Sequence, residues 1–344
     1  MIKVGFITTP LSGAHAVRGV GFYTRLLLSH LHALASRYDV ALTEISVPSP
    51  DFDLIHYPFF DLFYHTLPFT KAARTIVTIH DVIPLEFPDH YPPGLRGRLN
   101  LKQQKLSLRS VSGVFTDSYA SVKSIHKYLG VPRDRIKLIY LAASEIYRPQ
   151  KVSAVVSQKY SLPQKFALFV GDINWNKNLP ALVQSCLTLG VDLVIVGKQA
   201  AQVDALDLSH PELRHIARLR QLFSSPLIHR PGFVPDADLV EIYNAAAVYC
   251  QPSFAEGFGI PIVEAMACGT PVVCSDTSSM PEIAGEAAVY FSPSDPEALQ
   301  KSLFRVLSDA PLRRRLSRLG LVQARKFSWR QTAAATLQAY QNSL

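Results

Sequence analysis

The chemistry of this chain is concentrated in residues 252–273, PSFAEGFGIPIVEAMACGTPVV, where two carboxylates, Glu256 and Glu264, accompany a glycine-rich turn. The preceding run 248–251 reads as a strand. Pro261 sits where a helix tolerates proline, in its first turn, and Gly269 ends that helix before another strand begins. Gly257 and Gly259, on either side of Phe258, let the backbone approach a ligand closely. The N–H groups at the helix start, near Gly259 and Ile260, favour an anion such as a diphosphate. Seven residues separate the two glutamates, which places them about two helical turns apart on one side. Carboxylates beside an anion are electrostatically awkward unless each accepts hydrogen bonds from neutral hydroxyls. That points to polyol recognition, with one Glu for a ribose diol and the other for a hexose hydroxyl. Taken singly, Glu256 also reads as an acid favoured at a helix N-terminus by the dipole.

The elements that must position these groups follow from patterning. Short β-branched runs alternate with longer helical stretches, the signature of a parallel α/β architecture. Strands are expected at 3–8, 40–45, 53–56, 75–79, 113–116 and 136–139, and again at 166–170, 193–196, 227–228, 248–251, 271–274 and 288–291. Two such sets imply two doubly wound sheets, and 344 residues suit two domains. The boundary is placed at the polar turn Tyr147-Arg148-Pro149-Gln150, giving domains 1–150 and 151–328. Ligands of open α/β sheets bind beyond the carboxyl ends of the strands, so strand-end residues of both halves are expected to line a central cleft.

The chain carries 35 Lys+Arg against 27 Asp+Glu, and residues 1–150 hold 17 basic against 11 acidic residues, +6 of the net +8. A nucleic acid, an anionic membrane or a small anion each fits that bias. Nucleic acid is disfavoured because no recognised motif accompanies the charge. An apolar content of 48% argues against disorder. The start, MIKVGFI, is a first strand and not a signal peptide, and nowhere do about 18 uncharged apolar residues run together. Cys186, Cys250, Cys268 and Cys274 lack CxxC spacing and read as reduced, buried thiols. A cytoplasmic protein is expected, at the inner face of the membrane if its basic half meets lipid.

The setting P-S-x-x-E-G-F-G-x-P-x-x-E-A-M-A-x-G-x-P-V-V resembles the signature of retaining GT-B glycosyltransferases, specifically glycosyltransferase family 4. The rest of the chain agrees in order: Val170-Gly171 before Lys177-Asn178-Leu179, then Gly232-Phe233-Val234 with Leu239 and Tyr243, Met280-Pro281-Glu282, and Phe327-Ser328-Trp329. The resemblance implies a GT-B fold of two Rossmann-like domains, an acceptor-side one at 1–150 and a donor-binding one at 151–328. It also implies a terminal helix, 329–344, that returns to the first domain, with closure hinged near Pro149 and Trp329. Arg18-Gly19-Val20-Gly21-Phe22-Tyr23-Thr24 resembles the family's glycine-rich acceptor-side loop, facing a diphosphate. As a dinucleotide fingerprint with Glu44 as the ribose acid it fits poorly, because Thr24 takes the third glycine position. In Thr78-Ile79-His80-Asp81, the resemblance places His80 at the reaction centre, bonding a hydroxyl of the donor sugar; a strand-end imidazole donates and accepts there without permanent negative charge. It assigns Lys177 to the donor diphosphate. Relatives often carry an Arg where Asp172 or Asn176 stands here, so the clamp falls to Lys177, backbone N–H groups and Arg230.

On the acceptor side, residues 57–69 are rich in aromatics, including Tyr57 and Phe59, and are followed by Arg96, Arg98, Lys102, Lys105 and Arg109 with no acid between Asp89 and Asp117. Together with Asp81 these could dock a lipid-linked or glycan acceptor at an anionic membrane. Core aromatics with a solvated basic face is the plainer alternative. The resemblance implies a retaining, front-face transfer of a hexose from a nucleotide-diphosphate sugar, with Glu264 on the ribose, Glu256 on the sugar, and no cofactor. No Asp-x-Asp metal site is evident, so metal-free action is expected. GDP-mannose is the first donor expectation and a UDP-sugar the second. A sugar-nucleotide epimerase of the same fold and a catalytically silent sugar-nucleotide-binding protein are the competing readings.

Overall fold

The computed structural model describes residues 1–13, 19–205 and 215–343. The chain divides into two compact units, Met1–Leu141 with Phe327–Leu344, and Ala142–Lys326.

The first unit holds a six-stranded, all-parallel sheet of β1 (Ile2–Ile7), β2 (Val40–Ile45), β3 (Leu54–Tyr57), β4 (Arg74–Thr78), β5 (Gly113–Thr116) and β6 (Ile136–Leu138), in the order β2-β1-β3-β4-β5-β6. Central strands of such a sheet are covered on both faces and are apolar throughout. Accordingly every residue of β3 is buried, including His56, whereas the edge strand β2 is largely open. Ser118 caps the helix Tyr119–Leu129 by accepting the Ser121 N–H, and Gly130 ends it in the left-handed region. The last segment closes this unit: Ser328 caps the helix Trp329–Gln341, which packs along the helix Gly19–Leu34 and buries Trp329 and Tyr340.

The second unit holds a second six-stranded parallel sheet, β7 (Phe166–Val170), β8 (Asp192–Val196), β9 (Ile228–Gly232), β10 (Val248–Gln251), β11 (Val272–Ser275) and β12 (Ala288–Phe291), in the order β12-β11-β10-β7-β8-β9. Strand β9 runs longer than the two residues expected from sequence. Pro231 obscures it there, yet an edge strand tolerates a proline, and the pairing with β8 is irregular between Val194 and Val196. Residues 142–150 belong to this unit, which moves the division upstream of the polar turn. The Gln150 N–H donates to Asn244 Oδ1, Asn244 Nδ2 donates to the Arg148 carbonyl, and Tyr147 meets Tyr243 edge-on at 5.7 Å.

Sheet order fixes where each unit opens. The chain leaves β7 for β8 and β9 on one side and returns at β10 on the other, so the switch point lies between β7 and β10. The segments after these two strands are 171–178 and 252–259. In the first sheet the strands reverse between β1 and β3, with His80 following β4 two positions along.

Candidate active site

In the second unit the turn Trp175–Lys177 docks onto the loop after β10. Phe254 donates its N–H to the Asn176 carbonyl (2.7 Å), Asn176 Nδ2 donates to the Ala255 carbonyl (2.9 Å), and the Trp175 and Phe254 rings stack at 4.6 Å. This docking delivers Lys177 to Glu256. The ammonium donates to both carboxylate oxygens, at 2.9 and 2.8 Å, and Glu256 Oε1 also accepts from Gln251 Nε2 (2.7 Å) and Ser253 Oγ (2.5 Å). Glu256 is buried, and its own carbonyl accepts from the hydroxyls of Ser278 and Ser279. A carboxylate so paired has its charge compensated and its orientation held by four hydrogen bonds. The sequence treated Lys177 and Glu256 as separate ligand groups; the structure makes them one bidentate pair, which removes the electrostatic awkwardness of an acid at an anion site.

Glu264 lies in the helix Ile260–Ala267, whose N-cap Gly259 has φ 98°, a left-handed conformation that favours glycine. Its Oε2 accepts from the Tyr243 hydroxyl at 2.8 Å. Burial pushes the Glu264 carboxyl up to about 7, with Asp236 adding to the rise while hydrogen bonds from Tyr243 and Tyr147 oppose it. In the turn leading into this helix, Gly257 and Ile260 are half-buried, and Phe258 is buried with its carbonyl accepting from Ser279 Oγ.

Glycines end three neighbouring strands of this sheet: Gly171 (φ 148°) after β7, Gly197 after β8 and Gly232 (φ 80°) in β9. A Cβ on Gly197 would lie 2.2 Å from the Gly171 carbonyl oxygen, so only glycine fits. Phe233 follows, 65% exposed. Arg230 departs from the expected clamp. Its guanidinium donates to the Ala200 carbonyl (3.1 Å), pairs with Asp204 at 3.6 Å and lies over the Phe223 ring at 4.9 Å, because β9 carries it to the sheet edge.

In the first unit His80 sits past the end of β4 with Nδ1 2.6 Å from Asp117 Oδ2. Burial alone would lower the imidazole, but Asp117, with Asp81 beyond it, outweighs burial and holds His80 above the usual histidine range. Asp81 itself accepts the Ile83 N–H at 3.0 Å and so shapes the turn into the short helix Ile83–Glu86. Tyr23 meets the His80 ring edge-on at 4.5 Å, and its hydroxyl begins a buried chain through Thr78 (3.0 Å), His56 (2.8 Å) and Tyr340 (2.6 Å). His56 is pushed down to about 3 by burial and then by His80, which keeps it neutral.

Gly19 and Gly21 occupy the first turn of the helix Gly19–Leu34 and not a loop, while Arg18 of the same motif lies outside the described residues. Tyr57 belongs to the core with Phe60 and Leu67, and Phe59 is half-buried, so these aromatics pack the unit. The helix Leu95–Leu108 is fastened from within by Asn100 and Gln104, which donate to the carbonyls of Phe63 and Asp61. It presents Arg96, Arg98 and Lys102 to solvent alongside Leu95, Leu99 and Leu106.

Sequence reasoning missed Asp117, Gln251 and Gly197, and gave Ser253, Asn176 and Tyr243 no contact with the two glutamates or their loop. Asp117 and Gly197 stand immediately past a strand end, Gln251 is the last residue of β10 with Ser253 two positions on, and Asn176 adjoins Lys177; that placement is the one signal that could have found them. All four cysteines are buried and unpaired, and burial pushes their thiols up. Among the described residues no helix is long and apolar enough to cross a membrane.

Residues 5–143 match the family described as Glycosyltransferase Family 4, and residues 156–320 match Glycosyl transferases group 1. The O-antigen chain mannosyltransferase B of Escherichia coli is 34% identical over 279 residues, 78% of this chain and 71% of that protein. The serotype-specific mannosyltransferase WbdA of Escherichia coli is 29% identical over 78% of this chain but 33% of its own length, so this chain spans about a third of WbdA. Among solved structures, sucrose-phosphate synthase from Thermosynechococcus elongatus superposes with a TM-score of 0.77 at 18% identity, covering 99% of each chain. Anabaena Alr3699/HepE in complex with UDP-glucose gives 0.73 at 16%, covering 100% of each. At these identities the structures speak for the fold.

Proposed function

The chain belongs to the glycosyltransferases of family 4, with the GT-B fold, and from that premise we propose that it moves mannose from GDP-mannose to a hydroxyl of a glycan or lipid-linked acceptor with retention at the anomeric carbon. The observation that carries this reading is the Lys177–Glu256 pair beside the start of the helix Ile260–Ala267, with Glu264 further along the same helix. It offers one cation and a helix N-terminus to a diphosphate and two carboxylates to hydroxyls. Mannose is preferred because the relatives of highest coverage named above are mannosyltransferases; a UDP-sugar is the second donor, since Alr3699/HepE is seen with UDP-glucose. The epimerase and silent-binding readings draw nothing from these relatives.

In this reading Lys177, two of whose donors are on Glu256, turns its remaining N–H to the diphosphate, and Glu256 accepts from a sugar hydroxyl in turn. Glu264 accepts from the ribose, and His80 bonds a hydroxyl of the sugar. The bond from the anomeric carbon to the diphosphate oxygen breaks as the acceptor oxygen approaches on the same face, and the acceptor's proton passes to the leaving diphosphate. Positive charge developing on the sugar needs no protein nucleophile, which suits a Glu256 already neutralised by Lys177. Catalysis then rests on alignment and on stabilising the leaving group through Lys177 and the helix amides, without a metal ion.

For the acceptor we propose a lipid-linked molecule at an anionic bilayer. The helix Leu95–Leu108 supplies exposed leucines among cations, and a groove of about 580 Å³ at its end is lined by Lys102, Lys105, Arg109 and Arg135. The test is a panel of nucleotide sugars with NMR of the product anomer, run with and without EDTA. A retained α-mannosyl product supports the reading, inversion or a metal requirement overturns that part of it, and thermal shift by no nucleotide sugar overturns the whole.

A further inference from the structure

Resting on the transfer reaction above, we propose that Asp117 is a positioning residue: by holding the Nδ1–H of His80 it leaves Nε2 as the atom that His80 presents to the donor sugar. The pair is short, 2.6 Å, and Asp117 is 3% exposed, so its carboxylate has little water to exchange for the imidazole. Position follows from the sheet. Strands β4 and β5 are neighbours, the Ile79 N–H extends their pairing to the Phe115 carbonyl, and the next residues along, His80 and Asp117, emerge side by side at the carboxyl edge.

The ring is fixed from other directions as well. Tyr23 stands edge-on to it, and Ser121 Oγ donates to the His80 carbonyl at 2.9 Å. Tyr23 is in turn tied through Thr78 and His56 to Tyr340 of the last helix. Against this, His80 Nε2 is buried and makes no hydrogen bond of regular geometry within the protein, although the Pro58 carbonyl lies close enough to favour the protonated ring. Buried polar atoms in native proteins are nearly always satisfied, so a pair serving packing alone would not strand the second ring nitrogen. A ring clamped at Nδ1, braced on its edge and lacking a well-formed bond at Nε2 is arranged for a ligand atom at Nε2.

The titratable groups facing the ring are Asp117 from the end of β5, Asp81 from the following residue, and His56 and Tyr23 across the buried chain. With the Nδ1 proton held by Asp117, protonation and deprotonation are confined to Nε2.

The test is ¹⁵N NMR of the imidazoles in the full chain at a pH where His80 is neutral, for wild type, Asp117→Ala and Asp117→Asn, with thermal melts to confirm folding. Wild type should carry its proton on Nδ1, and Asp117→Ala should shift it wholly or partly to Nε2. Asp117→Asn, which keeps the shape and drops the charge, should lower the His80 titration midpoint and, if Asp117→Ala does not fold, carries the test alone. With donor and acceptor, kcat should fall at least about tenfold in Asp117→Ala while KM for the donor changes less than about threefold, and the acidic limb of the pH profile of Asp117→Asn should move to lower pH. The same tautomer in wild type and Asp117→Ala, an unmoved midpoint in Asp117→Asn, or a kcat within twofold of wild type overturns the proposal. Because the NMR measurements use no substrate, transfer by wild type with an unmoved tautomer or midpoint condemns the proposal alone. Absence of transfer from every donor condemns the functional reading and the proposal with it.

Discussion

Donor binding should strengthen as pH rises through 7, because the carboxylate assigned to the ribose is half protonated there. Burial raises Glu264 from an ordinary 4.5 to about 7, and the Tyr243 and Tyr147 hydroxyls offset only part of that rise. A ribose diol donating two hydrogen bonds needs the ionised form. If only that form binds, the apparent Kd scales as 1 + 10^(7 − pH), and affinity increases about tenfold between pH 6 and pH 8. The same group makes the empty protein less stable as pH rises. Its folded pKa lies above its unfolded one, so its contribution is fully present below 4.5 and is lost as pH climbs through 7, a swing of about 3 kcal/mol. Calorimetry with a nucleotide sugar, whose diphosphate does not titrate in this range, reads the affinity. Repeating the titration in buffers of different ionisation enthalpy reads the proton released. Glu264→Gln should bind more weakly with a flat pH dependence. A wild-type affinity that is unchanged between pH 6 and pH 8, or a slope that survives in Glu264→Gln, would refute the reasoning.

Three other outcomes follow from the same geometry. Tyr243→Phe removes a hydrogen bond to the charged form of Glu264, so the midpoint of the pH-dependent binding should rise by about one unit, read by the same calorimetry. Lys177→Ala strands the buried Glu256 carboxylate and should cost about 3 kcal/mol in urea unfolding. Adding Glu256→Gln should restore stability without restoring donor affinity, and equal stability of Lys177→Ala and wild type would argue that the pair is open in solution. Gly197→Ala places a Cβ 2.2 Å from the Gly171 carbonyl and should destabilise by about 3 kcal/mol or more, seen as a lowered Tm.

Much of the fold was legible because most strands are short, largely apolar runs soon followed by a polar residue, a proline or a glycine. All twelve expected strands form, six to a sheet, and the exception in extent, β9, is the one whose proline breaks the pattern at a sheet edge. The division of the chain was less legible. A polar, proline-containing turn at 147–150 looks like a linker, yet its amides and carbonyls are fastened to the helix Asp236–Ala245 by Asn244.

By itself the sequence determined the residue types of the candidate site: a glutamate at the turn, a second along its helix, a lysine after the β7 glycine, and, in the first unit, a histidine past β4. Local spacing suffices for these because strand, turn and helix start are adjacent in the chain. Only the tertiary structure decided how they pair. Lys177 and Glu256 meet because β7 and β10 are neighbours at a switch point, although 79 positions separate them. His80 and Asp117 meet because β4 and β5 are neighbours, and Arg230 is withdrawn because β9 lies at the far edge. Strand order is set by which apolar faces the whole chain can bury, a property of no local segment, and it converts isolated charges into neutralised pairs.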